Sequence, residues 1–219
     1  MNNLDYGIIG NCKSAALISI NGSIDWLCLP NFDSPSVFSK ILDEKNGGSF
    51  AFIVSDDYTC SQQYRKGTNI LCTKFISDEG CFEVLDFMPR YRTMKMDHFY
   101  PAEIYRYISP ISGKPRFCIH YNPVMNYAKE TARHRKFADY IKTSSCVNAK
   151  DNMYLYSGIP MDDILESNEI ILEREEFLLL SYGQKLVTID IERVYLEYQR
   201  TNVYWLNWNN RSRHFNRYK

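Results

Sequence analysis

The 219-residue sequence lacks an excess of charge of either sign, because 26 Lys and Arg residues balance 26 Asp and Glu residues. A strongly basic chain carries a field that attracts nucleic acid or anionic lipid, whereas a balanced chain has no such overall field. We therefore expect no nucleic-acid partner and no attachment to a membrane surface.

The sequence also lacks long apolar runs. No stretch approaches the roughly 20 residues that a membrane-spanning helix needs. The first residues, Met1 to Tyr6, contain no basic region followed by an apolar stretch, which is the pattern of a secretory signal. The sequence therefore predicts a soluble globular protein in the cytoplasm.

Motifs for metals, cofactors and nucleophilic catalysis are missing as well. The seven cysteines are irregularly spaced without a Cys-x-x-Cys pair, and the four histidines share no metal-ligand spacing. The sequence contains none of the patterns GxGxxG, GxxxxGK[ST], HExxH or GxSxG. We therefore expect no metal, no organic cofactor and no disulfide framework, and we interpret the cysteines as small buried hydrophobic residues.

Aromatic residues are abundant, at 15% of the chain, and they occur in short segments with period-two alternation or in apolar runs. About ten such segments, separated by turn residues, favour an antiparallel sandwich over a fold with alternating strands and helices. The predicted strands are 14–20, 24–29, 49–54, 69–76, 81–87, 103–109, 115–121, 153–156, 169–172, 176–182 and 194–198.

Turn residues within this set predict three hairpins. Asn21-Gly22 tolerates positive φ and joins the first two strands. Residues 77–80 join the strands 69–76 and 81–87, and Ser112-Gly113 joins 103–109 to 115–121. Helices are predicted only over 34–42, which Ser34 and Pro35 would start, and over 161–166.

One segment, residues 25–35 (DWLCLPNFDSP), combines two acidic and two large aromatic residues at the end of a predicted strand. Aromatic faces stack on the apolar C–H faces of sugar rings, and carboxylates accept hydrogen bonds from sugar hydroxyls. Asp25, Trp26, Phe32, Asp33 and Ser34 are therefore candidate sugar-binding residues. The alternative interpretation is a rigid structural loop, in which Trp26 lies in the core and Asp33 or Ser34 caps a helix.

The segment 199–219 contains no acidic residue and carries five Lys or Arg residues, interleaved with aromatic residues such as Trp205 and Trp208. Basic and aromatic side chains together can bind single-stranded nucleic acid. Because the segment is short and the rest of the chain is not basic, we interpret it instead as a linker that packs on another domain. Its exposed aromatic residues also predict self-association of the chain into a homo-oligomer.

Several motifs together closely resemble the N-terminal region of glycoside hydrolase family 15, the prokaryotic glucoamylase-like and trehalase-like proteins. The most specific is the block 21–38 (NGSIDWLCLPNFDSPSVF), which is preceded by 5–10 (DYGIIG) and 15–19 (AALIS). The motifs that follow in the family's order are 67–71 (GTNIL), 86–89 (DFMP), 179–183 (LLSYG) and 201–205 (TNVYW). The resemblance extends over nearly the whole chain.

This resemblance implies an all-β fold, an antiparallel super-sandwich of the galactose mutarotase-like type with a few short helices. It implies a β-sandwich domain over residues 1–200 and the start of a helical linker over 201–219. The (α/α)6-barrel catalytic domain of the family is absent from these 219 residues. Family members hydrolyse α-glucosidic bonds with inversion, using two carboxyl groups that belong to the barrel. The resemblance therefore implies no catalytic residue in this chain, and no cofactor.

The function implied by the resemblance is that of a non-catalytic domain that packs on the barrel and helps shape its entrance. The sugar would be an α-glucoside of the maltooligosaccharide or trehalose type, a choice that the sequence leaves open. Residues 25–34 are expected to face the barrel or the sugar. Two other functions remain open: a stand-alone carbohydrate-binding module, and a divergent enzyme with its own site within the sandwich.

Overall fold

A computed structural model describes residues 5–148 and 151–211. The strands, in chain order, are β1 (Tyr6–Gly10), β2 (Ala15–Ser19), β3 (Ile24–Cys28), β4 (Ser36–Phe38), β5 (Ser49–Ile53), β6 (Thr59–Tyr64), β7 (Leu71–Ile76), β8 (Gly80–Phe87), β9 (Tyr91–Arg92), β10 (His98–Phe99), β11 (Glu103–Gly113), β12 (Arg116–Asn122), β13 (Glu130–Lys136), β14 (Tyr140–Ser145), β15 (Asn152–Ser157), β16 (Ile170–Ile171) and β17 (Glu176–Tyr182). The helices are α1 (Met125–Ala128), α2 (Met161–Leu165) and α3 (Ile191–Arg211). No helix in these ranges is long and apolar enough to cross a membrane.

The strands form two large antiparallel sheets and one short hairpin. The first sheet has the order β1-β2-β3-β5-β12-β16, with β4 beside β3, and the second has the order β13-β14-β15-β17-β11-β8-β7-β6. The short hairpin pairs β9 with β10. The predicted all-β antiparallel sandwich is therefore confirmed.

Aromatic side chains fill the space between the two large sheets. Alternate residues of a strand point to the same face, so Phe50 and Phe52 of β5 both point inward. Phe52 meets Phe75 of the opposite sheet edge to face at 5.8 Å, and Phe75 stacks on Phe82 with ring centroids 4.5 Å apart. The alternation in the sequence is thus the pattern that builds the core.

One buried arginine joins the two sheets through polar contacts. Arg106 of β11 is fully buried, and its Nε donates to Asp86 Oδ1 at 2.8 Å. From the second sheet its Nη1 reaches the carbonyl of Phe50 in the first sheet at 2.7 Å, and its Nη2 donates to the carbonyl of Gly22. The guanidinium also lies 4.6 Å from the ring centroid of Phe52. The contacts to these partners offset part of the cost of removing the charge from water.

A second apolar cluster lies where α3 covers the outer face of the second sheet. It combines Val194 with Phe87, Tyr105 and Tyr107, and Tyr198 packs against it. The side chain of Asp190 accepts a hydrogen bond from the backbone N–H of Arg193 at 2.8 Å, as an N-cap does. The helix therefore begins at an acidic cap and is held on the sandwich by its first half.

Two of the predicted hairpins are confirmed. Asn21-Gly22 connects β2 to β3, and Gly22 has a φ of +71°. A Cβ atom at Gly22 would lie 2.8 Å from the Phe75 ring, so both the turn and the packing favour glycine here. Strands β7 and β8 pair as predicted, and α2 matches the helix predicted over 161–166.

The third hairpin is wrong, because the chain leaves one sheet and enters the other after Gly113. Strand β11 pairs with β8 and β17, whereas β12 pairs with β5 and β16. Ser112-Gly113 is compatible with a turn, but period-two alternation does not specify which strand becomes the neighbour. The strands that were not predicted are β1, β4, β6, β9, β10, β13 and β14.

Two predicted elements have another structure. Residues 34–42 form strand β4 and turns instead of a helix, since Ser36 and Phe38 pair with β3. Residues 194–198 lie in α3 and not in a strand, because their apolar spacing also fits one face of a helix. Residue 200, the predicted end of the sandwich domain, lies inside α3, and the division into domains stays a prediction.

The prediction for the cysteines is partly wrong. All seven are free thiols, and Cys28 and Cys72 are buried. Cys12 and Cys146 are exposed, and the other three are half-buried. Exposure follows from location, because Cys12 lies in the turn between β1 and β2, with a φ of +66°, and Cys146 follows β14.

Candidate functional site

Asp25 is the buried member of the predicted loop set. It lies in β3 and is 4% exposed. Its carboxylate accepts hydrogen bonds from the hydroxyls of Ser23 at 2.5 Å and Tyr6 at 3.0 Å. Burial, together with this bond to Asp25, raises the pKa of Tyr6 to about 12. Asp25 therefore fixes the base of the loop and does not reach its surface.

The other predicted residues lie at or near the surface. Trp26 and Ser34 are half-buried, Asp33 is exposed, and Phe32 is 60% exposed. The Ser34 hydroxyl accepts a hydrogen bond from the N–H of Asn31 at 3.1 Å, so it closes a turn and caps no helix. The exposed pair of Phe32 and Asp33 gives this loop the ring and carboxylate that a sugar-binding surface uses.

A neighbouring turn, residues 11–14, supports the loop from below. The N–H of Phe32 donates to the carbonyl of Lys13 at 3.0 Å. The side chain of Asn11 holds this turn, because its Oδ1 accepts from the N–H groups of Lys13 and Ser14, each at 3.0 Å. Asn11 Nδ2 also donates to the carbonyl of Pro101 at 2.8 Å. The loop is thereby connected to the segment that follows the β9–β10 hairpin.

Arg90 connects the same turn to α3. Its Nη1 donates to the carbonyl of Asn11 at 2.6 Å, and its Nε donates to the hydroxyl of Tyr204 at 2.8 Å. The guanidinium lies 5.6 Å from the ring of Tyr100 and 5.5 Å from that of Tyr204. Lys13 lies 5.7 Å from the Tyr100 ring. The predicted loop and α3 therefore belong to one connected face of the molecule.

A groove of about 820 Å³ lies between the β9–β10 hairpin and the outer side of α3. We call it the hairpin groove. Its walls are largely apolar, and they carry three arginines and no acidic side chain. The residues that line it are Tyr91, Arg92, Thr93, Met94, Gln199, Arg200, Val203, Tyr204, Asn207, Trp208 and Arg211.

Two buried glutamates lie beneath α3, on the side opposite to solvent. Glu103 of β11 is 4% exposed and accepts a hydrogen bond from the Tyr105 hydroxyl at 2.8 Å. Burial raises the pKa of Glu103 to about 7; the bond from Tyr105 lowers it, and Glu197 raises it. Glu197 of α3 is 6% exposed, and its Oε1 accepts from Tyr91 and Arg200, each at 3.1 Å.

Several polar atoms beneath α3 have no hydrogen-bond partner among the described residues. They are Glu197 Oε2, Thr201 Oγ1 and Trp205 Nε1. Their spacing of four residues places all three on one stripe of the helix. A buried polar atom without a partner costs free energy, so this interface is less well satisfied than the one between the sheets.

The geometry gives little support to catalysis by these carboxylates. A glycosidase needs two carboxyl groups that flank an accessible sugar, and Glu103 and Glu197 are both buried between α3 and the sandwich. In the part of the chain that the structure describes, no three His, Cys, Asp or Glu side chains are grouped so that they could hold a metal.

The sequence alone did not predict Arg90, Tyr91, Glu103 and Glu197 as residues of this region. One signal was available for the first two, since Arg90 directly follows the motif 86–89. Glu197 lies four residues before Thr201, which starts the motif 201–205. Phe215 and Tyr218, which belong to the basic aromatic segment, lie outside the described residues.

Comparison with known proteins gives matches over most of the chain. Residues 5–164 match a family described as trehalase-like, N-terminal. The trehalase of Thermoplasma volcanium is 32% identical over 212 residues, which are 93% of this chain and 33% of that protein. The trehalase of Thermoplasma acidophilum is 32% identical over 200 residues, covering 88% of this chain and 33% of its own length. Trehalase 1 of Sulfolobus acidocaldarius is 49% identical over 84 residues, 38% of this chain and 14% of that protein.

Proposed function

Because the chain belongs to the trehalase-like N-terminal domain family, we propose that it serves as the non-catalytic N-terminal domain of a family 15 α-glucosidase, packing on a catalytic (α/α)6 barrel. The observation that supports this proposal is the share of each protein that the match covers. The chain spans about one third of the two Thermoplasma trehalases, and the match includes most of its own length. The remaining two thirds of such a protein leave room for a separate catalytic part.

We propose further that the loop 25–34 helps to shape the sugar entrance. Phe32 and Asp33 supply an exposed ring and an exposed carboxylate, while Asp25 and Ser34 fix the loop through hydrogen bonds. Arg90 and Asn11 connect this loop to α3, so a domain packed against α3 would also meet the loop. The proposed sugar is an α-glucoside of the trehalose or maltooligosaccharide type.

We also propose that the protein lies in the cytoplasm, and that the sandwich domain over 1–200 is followed by a linker that starts at residue 201, inside α3. All seven cysteines are free thiols, the state that a reducing compartment maintains. Tyr195, an aromatic residue of α3 that is 47% exposed and lies outside the hairpin groove, supports self-association of the isolated chain. Sedimentation that gives only monomer at high concentration would contradict self-association.

A domain exchange tests the main proposal. The 219-residue chain alone should release no glucose from trehalose or maltose. In the Thermoplasma volcanium trehalase, removal of the first third should abolish trehalose hydrolysis, and replacement of that third by this chain should restore part of it. Glucose release by the chain alone would contradict the non-catalytic role, and an inactive, properly folded exchange protein would contradict the domain role.

The loop is tested in the same exchange protein. Phe32→Ala and Asp33→Asn should raise the KM for trehalose and leave kcat nearly unchanged, because they remove contacts at the entrance and not at the reacting bond. Ile76→Ala, at an exposed apolar position of β7, is the matched control and should change neither constant. Unchanged KM values in both loop variants would leave the loop a structural element.

A stand-alone carbohydrate-binding module is the second candidate. It is favoured by the 60% exposure of Phe32 beside the exposed Asp33. Calorimetric titration of the chain with trehalose, maltose and maltotriose should then give heat that Phe32→Ala removes. Absence of heat at millimolar sugar would exclude this candidate.

A further inference from the structure

We propose that the hairpin groove binds an acidic segment that carries an aromatic or long aliphatic side chain, supplied by the catalytic part of the full-length protein. This inference rests on the proposed function and names the surface and the partner chemistry through which the two parts meet. It differs from the loop 25–34, because the hairpin groove contains none of the predicted sugar-facing residues.

The walls of the hairpin groove are fixed before any partner arrives. On the hairpin side, the Tyr91 hydroxyl donates to Glu197 at 3.1 Å, and the Arg200 guanidinium lies 5.3 Å from the Tyr91 ring. On the helix side, Tyr204 accepts from Arg90 at 2.8 Å. A partner would therefore bind a preformed site and pay little to order it.

The hairpin groove is lined by several exposed apolar side chains. Met94 is fully exposed, Trp208 is 59% exposed and Val203 is 53% exposed. α3 docks on the sandwich through a different stripe, which contains Val194 and Thr201. The outer stripe of α3, with Val203 and Trp208, therefore stays exposed in the folded chain. Contiguous exposed apolar surface of this kind marks interaction sites.

Charge distinguishes the kind of partner. Among the described residues, the side chains of Arg92 and Arg211 make no ion pair and no hydrogen bond, while Arg200 is bonded to Glu197 at 3.1 Å. The lining contains no carboxylate to offset them. Guanidinium groups at the rim of an apolar floor favour carboxylates that flank an apolar side chain. Arginine and tryptophan are also the residue types that contribute most to protein interfaces.

Nucleic acid could also meet arginines and exposed rings, and a second copy of the chain could cover the same floor. The balanced charge of the whole chain gives no field that would draw a polyphosphate to three arginines. A second copy would place the same arginines against each other if the two hairpin grooves met face to face. The observations therefore favour a protein segment of opposite charge.

The test mixes the full 219-residue chain with the remaining two thirds of the Thermoplasma volcanium trehalase and measures the Kd by calorimetry. Arg92→Glu/Arg211→Glu should weaken binding at least tenfold, with a smaller effect at high salt because the attraction is screened. Trp208→Ala should weaken it by a similar factor. Arg92→Lys/Arg211→Lys should retain most of the affinity.

The matched control is Lys129→Glu/Arg133→Glu, which makes the same change in net charge at exposed positions in and beside β13. It should leave the Kd unchanged, and urea unfolding of each variant verifies that the fold is intact. Unmodified chain that binds, together with an equally tight Arg92→Glu/Arg211→Glu variant, would overturn the groove assignment and leave the proposed function standing. Failure of the unmodified chain to bind a trehalase remainder that circular dichroism shows to be folded would contradict both.

Two further outcomes would assign the hairpin groove to another partner. Fluorescence anisotropy with a labelled 20-nucleotide oligo-dT should show no binding; binding that Arg92→Glu/Arg211→Glu abolishes would overturn the proposal in favour of nucleic acid. Sedimentation of the chain alone should be the same for parent and variant. Loss of a dimer in the variant would overturn the proposal in favour of a second copy.

Discussion

Two interfaces in this molecule bury charged groups, and they do so in different ways. Between the sheets, Arg106 and Asp86 are both fully buried, carry opposite charges and are joined by a 2.8 Å hydrogen bond. Beneath α3, Glu103 and Glu197 are two buried acidic groups, and burial raises the pKa of Glu103 to about 7. In the first interface, Arg106 also donates to the carbonyls of Phe50 and Gly22.

The difference extends to neutral polar groups. Thr143 in β14 is fully buried, and its hydroxyl lies 3.0 Å from the Tyr121 hydroxyl and 2.9 Å from His134 Nδ1. Thr201 in α3 is equally buried, and its hydroxyl has no partner among the described residues. Among the described residues, α3 therefore leaves three buried polar side-chain atoms without a hydrogen-bond partner, whereas the sandwich leaves one, Ser36 Oγ. The element with more unpartnered polar atoms is thus the helix whose outer side we propose as a binding surface.

The largest expected effect concerns the pair between the sheets. Arg106→Met should lower the free energy of unfolding by about 3–5 kcal/mol, because it leaves the carboxylate of Asp86 buried without its charge partner. Urea unfolding measures the loss. Arg65→Met, which removes the exposed partner of Glu83, is the control and should cost less than about 1 kcal/mol.

A double substitution separates charge from packing at the same place. Arg106→Met/Asp86→Leu replaces both charges by apolar groups and should recover much of the loss. If Arg106→Met alone costs no more than Arg65→Met, Arg106 and its partners do not hold the two sheets together and the contrast with α3 fails.

The next effect concerns Glu103 and depends on pH. Burial raises its pKa from the ordinary 4.5 to about 7, so the folded chain retains a proton that the unfolded chain releases. Stability from this group is complete below pH 4.5 and is lost as the pH rises towards 7, by about 3 kcal/mol in all. Glu103→Gln keeps an acceptor for Tyr105 and cannot ionise. It should therefore match the parent near pH 4 and be more stable at pH 8.

Urea unfolding at pH 4, 6 and 8 measures this difference. Glu173→Gln, at an exposed position, is the control and should show no such pH-dependent gain. A parent and a Glu103→Gln variant that differ by the same amount at every pH would mean that Glu103 does not carry the proton.

Much of the sandwich could be predicted because its signals are local. Asn21-Gly22 specifies a turn through backbone conformation alone, and alternate aromatic residues specify a buried face. The partner of a strand is not a local property. Nothing near Ser112-Gly113 indicates that the chain changes sheets there, so a hairpin was predicted where a crossover occurs.

The prediction of a strand over 194–198, which lie in α3, was wrong for a related reason. Val194, Leu196 and Tyr198 alternate as in a strand, while Val194, Tyr198 and Thr201 lie on one face of a helix. The sequence carries both patterns, and Asp190 as an N-cap was the signal that separates them.

In the candidate site, too, the features that are local in the sequence could be predicted and those that depend on distant contacts could not. The loop 25–34 was found from residue types that are adjacent in the sequence, and the structure leaves Phe32 and Asp33 exposed. Arg90 meets Asn11 and Tyr204 across 79 and 114 residues, so its role follows only from the fold. The hairpin groove is likewise built from β9 and α3, which are separated by about half the chain.

The smallest expected effect is that of a Thr→Val substitution on the free energy of unfolding, and we expect opposite signs in α3 and in the sandwich. Thr201→Val removes a buried hydroxyl that has no partner and keeps a branched side chain of similar volume, so it should raise the free energy of unfolding by about 1 kcal/mol. Thr143→Val makes the same substitution where the hydroxyl is bonded to Tyr121 and His134, and it should lower the free energy of unfolding by about 1–3 kcal/mol. Urea unfolding at one pH compares the two. A loss for Thr201→Val as large as that for Thr143→Val would mean that the Thr201 hydroxyl is hydrogen-bonded in solution, and the interface beneath α3 would then be as well satisfied as the sandwich.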